Sequence, residues 1–188
     1  MSEMRRLINL SESLFRSGVD ESLDQPVELE YHSVASPGSG YHRLIYSDLE
    51  LPDSTVLRIQ AGLRVQWNLG KKNQDVRLPS YWEVGFGRTG SPTADLEDPD
   101  SWKDDLTQQG SERLVFSAVL EFMRHLVTTK KPREIRFGTS TAGGAADKRA
   151  GAYGRIAARH APSLGYEVTT QADPGIPGGT LFVLSRRA

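Results

Sequence analysis

The chain contains no cysteine among its 188 residues. This excludes disulfides, thiolate metal sites and a cysteine nucleophile, and it fits a cytoplasmic setting. An excess of charge of either sign is also missing. The 23 lysines and arginines are offset by 24 aspartates and glutamates, for a net charge of −1. No global field therefore draws the protein to nucleic acid or to an anionic membrane. The longest apolar runs fall far short of the roughly 20 residues that cross a bilayer, and the N-terminus has no contiguous hydrophobic signal region. His32, His42, His125 and His160 are the only histidines. They stand on different predicted elements without ligand spacing, so no metal site is expected. Apolar residues make up only 37% of the chain, yet they are grouped in periodic runs. That pattern belongs to one folded domain with long polar loops, not to a disordered chain.

Residues 1–25 read as an arm outside the domain of 26–188. Met4, Leu7, Ile8, Leu14 and Phe15 recur at helical spacing, Gly18 stops the pattern, and a polar linker follows. Strands come next. Val27, Leu29 and Tyr31 alternate with Glu28, Glu30 and His32, and "YHRLIYSDLEL" is a second extended run ended by Pro52. Between 57 and 69 the alternation is strict, from Leu57, Ile59, Ala61 and Leu63 to Val65, Trp67 and Leu69, which predicts one long strand with Gly62 as a bulge. In "SYWEVGFG", Trp82, Val84 and Phe86 share one face, and Tyr81, Glu83 and Gly85 the other.

Residues 88–111 form a long insertion, and six of the eleven residues from Asp95 to Asp105 are acidic. A connection of this length inside a compact domain is often a lid or a partner loop. Trp102 is its one large apolar side chain and the candidate partner contact. Asp95, Glu97, Asp98 and Asp100 lack the spacing and the glycine of a helix-loop-helix calcium site. From Glu112 to Val127 apolar residues cover most of a helical circumference, and Lys130, Lys131 and Pro132 suit the helix end. "REIRFGTS" is a short strand. The second helix, 145–161, gathers Ala150, Tyr153, Ile156, Ala157 and His160 on one face, with Lys148, Arg155 and Arg159 outward. "YEVTTQAD" and "GTLFVLSRR" flank a glycine–proline turn and predict an antiparallel hairpin. The expected fold is α/β or α+β: one mixed central sheet of six or seven strands carrying two main helices.

Two strings and this order of elements resemble the GNAT acyltransferase superfamily over residues 55–188. The first string, "TQQGSE", stands where that family carries a glycine-rich loop opening a helix, with Gly110 matching, Thr107 in place of a basic or amide residue, and Glu112 in place of the last small residue. In the family this loop holds the pyrophosphate of coenzyme A by backbone N–H groups. The resemblance thus implies acetyl-coenzyme A as cofactor and Gln109, Gly110 and Ser111 as its contacts. The second string, "KRAGAYGRIAARHAPSLGYE", is similar to the family's helix with an alanine, a tyrosine one turn later and a glycine–aromatic pair opening the next strand. It implies Tyr153 as the acid that protonates the departing thiolate, although Gly165 follows Tyr153 at a longer spacing than in the family. Glu83, on the strand before the loop, would be the general base for the amine.

The opening "MRRLINLSESLF" and the "TQQGSERLVFSAVLEF" string also resemble small bacteriophage proteins. Two functions stay open. One is an N-acyltransferase acting on an amine-bearing small molecule or protein. The other is a non-catalytic phage protein, in the host cytoplasm or the virion, that binds a protein partner through its arm or acidic loop. The basic set Lys148, Arg149, Arg155, Arg159, Arg186 and Arg187 has little aromatic interleaving, which argues for charge pairing within the protein over nucleic-acid binding. "GTSTAGG" and "GSGYH" lack the nucleophile elbow of a serine hydrolase.

Overall fold

The computed structural model describes residues 26–35, 41–65, 67–68, 76–77, 80–89, 112–139 and 146–188. The predicted arm, the acidic run with Trp102, and Gln109, Gly110 and Ser111 lie outside them. The elements, numbered in chain order, are β1 (His32–Val34), β2 (Arg43–Glu50), β3 (Val56–Arg64), β4 (Trp67–Asn68), β5 (Val76–Arg77), β6 (Tyr81–Thr89), α1 (Glu112–Lys130), β7 (Glu134–Thr139), α2 (Ala146–His160), β8 (Tyr166–Ala172) and β9 (Thr180–Arg186). Seven strands form one mixed sheet in the order β1-β2-β3-β6-β7-β9-β8. Every neighbouring pair is antiparallel except β6 and β7, which are parallel and joined through α1. A parallel pair needs such a crossover, because a tight turn cannot reverse the chain twice.

Alternation assigns the residues of each strand to two faces. On one face Leu57, Ile59 and Ala61 of β3 lie beside Val84 of β6 and Ile135 of β7, and α1 covers them with Val115, Phe122 and Leu126. All but Val84 and Val115 in this group are 0% exposed, and those two are 5% and 2%. This explains why α1 is apolar around most of its girth. It rests on the sheet, while Tyr31 packs on it from outside, with the Tyr31 ring 3.5 Å from that of His125 and 6.0 Å from that of Phe122. Helix α2 lies on the same face: a side chain at Gly154 would meet the Phe182 ring at 3.2 Å. No helix among the described residues is long and apolar enough to cross a membrane.

Three expectations change. The long strand predicted over 57–69 is split: β3 ends at Arg64, and Trp67–Asn68 pairs with Val76–Arg77 in a separate two-stranded ribbon. The alternation runs on through Trp67, but among the described residues the main-sheet pairing of β3 ends at Arg43 of β2 and Tyr81 of β6. Gly62 is no bulge, because its pairing with Leu44 and Glu83 is continuous. A side chain there would lie 2.3 Å from the ring of Tyr41, so the glycine makes room for that ring. The strand predicted from Val27 is paired only over His32–Val34, although Val27, Leu29 and Tyr31 do turn toward the core.

The C-terminal part follows its local chemistry closely. Lys131 takes a left-handed φ of 47° after α1, and Pro132 then bars further helix. Gly165 caps the short 3-10 turn Pro162–Leu164 at φ 82°, a conformation that suits glycine. It delivers Tyr166 into the core at 0% exposure, where its hydroxyl donates to the Pro132 carbonyl at 2.5 Å. The β8–β9 pair is the expected antiparallel hairpin.

Candidate functional site

The parallel pair β6/β7 is short. Its register holds only Trp82 against Ile135 and Glu83 against Arg136. Both strands continue, β6 bonded to β3 as far as Thr89 and β7 to β9 as far as Thr139, but not to each other. The centre of the sheet therefore parts beyond Glu83 and Arg136. Backbone N–H and C=O groups on the inner edges of the parting have no ladder partner across the gap, and such groups call for one. Helices α1 and α2 both follow the parting, since α1 starts after β6 and α2 after β7.

On the helix side, the parting opens into a cleft between α1 and α2. Val84, Phe86, Phe116, Phe137 and Tyr153 are among its walls, and its volume is about 60 Å³. The Tyr153 ring sits 5.6 Å from Phe86 and 6.1 Å from Phe116, tying α2 to β6 and α1. Tyr153 and His160 are the polar side chains of a lining that is otherwise apolar.

The other side of the same strands is polar. Glu83 accepts hydrogen bonds at Oε2 from Arg64 Nε and from the Tyr41 hydroxyl, the latter at 3.0 Å. Arg64 also donates to the Tyr41 hydroxyl at 3.0 Å, and its guanidinium lies 4.2 Å from the centre of that ring. Burial pushes the Tyr41 hydroxyl up to about 12, helped by the charge of Glu83. Burial pulls the Arg64 guanidinium down, but the bonds and charges of Glu83 and Tyr41 outweigh it and leave Arg64 raised. Beside them Arg136 stacks on Tyr81 at 3.8 Å and pairs with Glu134 at 2.5 Å. Among the described residues both side-chain bonds to Glu83 end on Oε2. Arg64 and Tyr41 hold the carboxylate in a single orientation.

Of the residues singled out from sequence, Glu83 and Tyr153 are both at the parting, but on opposite faces of the sheet: Glu83 on the polar side at the last paired position, Tyr153 on the apolar side. Gln109, Gly110 and Ser111 immediately precede the first residue of α1, Glu112. The four histidines do not converge: among the described residues no group of three metal-ligating side chains forms. Sequence reasoning missed Tyr41, Arg64 and Arg136. The one local hint was a run of small residues on the polar face, Gly62 opposite Glu83 and Gly85 opposite Gln60, which leaves space for large neighbours. No protein-family model, curated protein or solved structure matches this chain, so the chemistry of the site must be argued from its own geometry.

Proposed function

We propose that the protein is a GNAT-like N-acyltransferase that moves an acyl group from coenzyme A to an amine. The observation that carries the reading is the parting of the one parallel strand pair, with Glu83 at its vertex. Its unbonded inner edges present N–H and C=O groups to whatever lies between them, and the pantetheine arm of coenzyme A has two amides able to answer as an added strand would. The apolar cleft behind the edges takes the uncharged end of such a ligand. Coenzyme A would supply an acyl thioester, whose carbonyl is the electrophile.

The residues then divide the work. Glu83 accepts the proton that the amine loses as its nitrogen attacks the thioester carbon. Arg64 and Tyr41 keep Glu83 oriented. The C–N bond forms, the C–S bond breaks, and the Tyr153 hydroxyl, on the far side of the parting, donates a proton to the departing sulfur. Gln109, Gly110 and Ser111 would contribute backbone N–H groups to the pyrophosphate. The first residue of α1 is the acidic Glu112, whose charge disfavours an anion at the helix end, so in this reading most of the affinity comes from the parting.

The test is thermal unfolding with coenzyme A and acetyl-coenzyme A. Ligand at a hundred times its Kd adds about 2.7 kcal/mol to stability. Glu83→Gln should keep that shift and lose roughly 10²–10⁴ in the rate of transfer to an amine. No shift with either compound at millimolar concentration overturns the reading, and leaves a non-catalytic role for the scaffold.

A further inference from the structure

We infer that the cleft between α1 and α2 selects a short aliphatic acyl chain, of about three or four carbons, over acetyl. This rests on the parting as a thioester site and goes on to name the acyl group. The floor of the cleft is Val84 and Leu184, 5% and 3% exposed, and the α1 wall is Leu120 and Met123, each 6% exposed. Such a lining stays dry and offers a guest only dispersion contacts and release from water. A carboxylate at the end of the acyl group, as in a succinyl chain, would lose its hydration without gaining a partner.

Size sets the length. The space within the cleft is about 60 Å³. A dry apolar cavity of about 150 Å³ takes the six carbons of benzene, so this one holds about two or three carbons beyond the thioester carbonyl. The single methyl of an acetyl group leaves most of the cleft empty, whereas a chain of twelve carbons would have to force α1 away from α2. Close-packed interiors rarely keep such a gap. Here the inner face of α2 maintains it with a small residue, Ala157, 8% exposed and part of the lining.

The experiment compares affinities of free, acetyl-, butyryl-, hexanoyl-, dodecanoyl- and succinyl-coenzyme A by calorimetry. Each buried methylene is expected to tighten binding about fourfold up to butyryl. Hexanoyl and dodecanoyl should gain nothing more, and succinyl should bind no better than acetyl. Ala157→Leu, or the smaller Ala157→Val if the first variant folds poorly, should flatten the series when each is read against its own free coenzyme A affinity. Equal binding of free, acetyl and butyryl forms overturns the chain pocket and leaves the acyltransferase reading standing. If no coenzyme A compound binds, the acyltransferase reading falls. In that case a thermal shift by 1-butanol that Ala157→Leu removes still supports the apolar pocket, and no such shift sinks it too.

Discussion

The two faces of β3 and β6 are built from alternate residues of the same strands, yet they solve opposite problems. On the helix face Leu57, Ile59 and Ala61 are wholly buried among apolar neighbours, and a gap is left between the helices. On the other face three arginines, Arg58, Arg64 and Arg136, each lie over a tyrosine ring and each pair with a carboxylate. Charge there is neutralised pair by pair, which costs desolvation but fixes each side chain in one direction. The apolar face tolerates a void because its forces have no direction. The polar face cannot, because an unmet charge is expensive. That contrast places a pocket on one side of the parting and an oriented carboxylate on the other.

The largest effects should come from the centre of each face. Phe122→Ala, under α1 at 0% exposure, should lower the unfolding free energy by about 3–5 kcal/mol in urea titration. On the polar side, Asp48→Ala should cost about 3 kcal/mol, since it strips Arg58 of two bonds, both at 2.7 Å, while the guanidinium stays 1% exposed. The double change Asp48→Leu with Arg58→Met should recover most of that loss. A double variant no more stable than Asp48→Ala would show that the pair itself, not the avoidance of a lone charge, holds this face.

A smaller change separates the site from its surroundings. Gly62→Ala should cost about 1–3 kcal/mol by pushing Tyr41 off the strand. It should also slow amine transfer, because Tyr41 no longer steadies Glu83. Full stability with unchanged transfer would mean that the ring does not need its place over Gly62.

The smallest effect is in alkali. The Tyr41 hydroxyl titrates near 12 in the folded protein against an ordinary 10.0. The folded state therefore holds this proton more tightly than the unfolded one, and the resulting stability is complete below about pH 10 and lost as pH rises from about 10 to 12. Tyr31, raised to about 12 chiefly by burial, behaves alike. Tyr166 is also raised by burial, so Tyr41→Phe should lose only part of the shared alkaline term, and less stability than the parent between about pH 9.5 and 11.5. An identical loss in both proteins would show that Tyr41 is not buried beside Glu83.

Local pattern made much of this legible. Period-two alternation placed Trp82, Val84 and Phe86 opposite Glu83 correctly, because the pleat of a strand depends only on neighbouring residues. The inner face of α2, with Tyr153, Ile156, Ala157 and His160, was readable for the same reason, as was the Gly165–Tyr166 step. The errors share one cause. Gly62 was read as a bulge because its real partner, the Tyr41 ring, arrives from a distant part of the chain. The strand over 57–69 was drawn too long because alternation records which way side chains would point, not whether a neighbouring strand is there to pair with them.

By itself the sequence determined the chain order of the main-sheet strands and the two helices, the apolar character of α1, and which side of β6 carries the carboxylate, since each follows from spacing over a few residues. Only the tertiary structure decided that β6 and β7 pair for two rungs and then part. It alone brought Tyr41 and Arg64 onto one oxygen of Glu83, and left a cleft between two helices that never meet in sequence. These depend on register between distant strands, and register is set by how whole faces pack together.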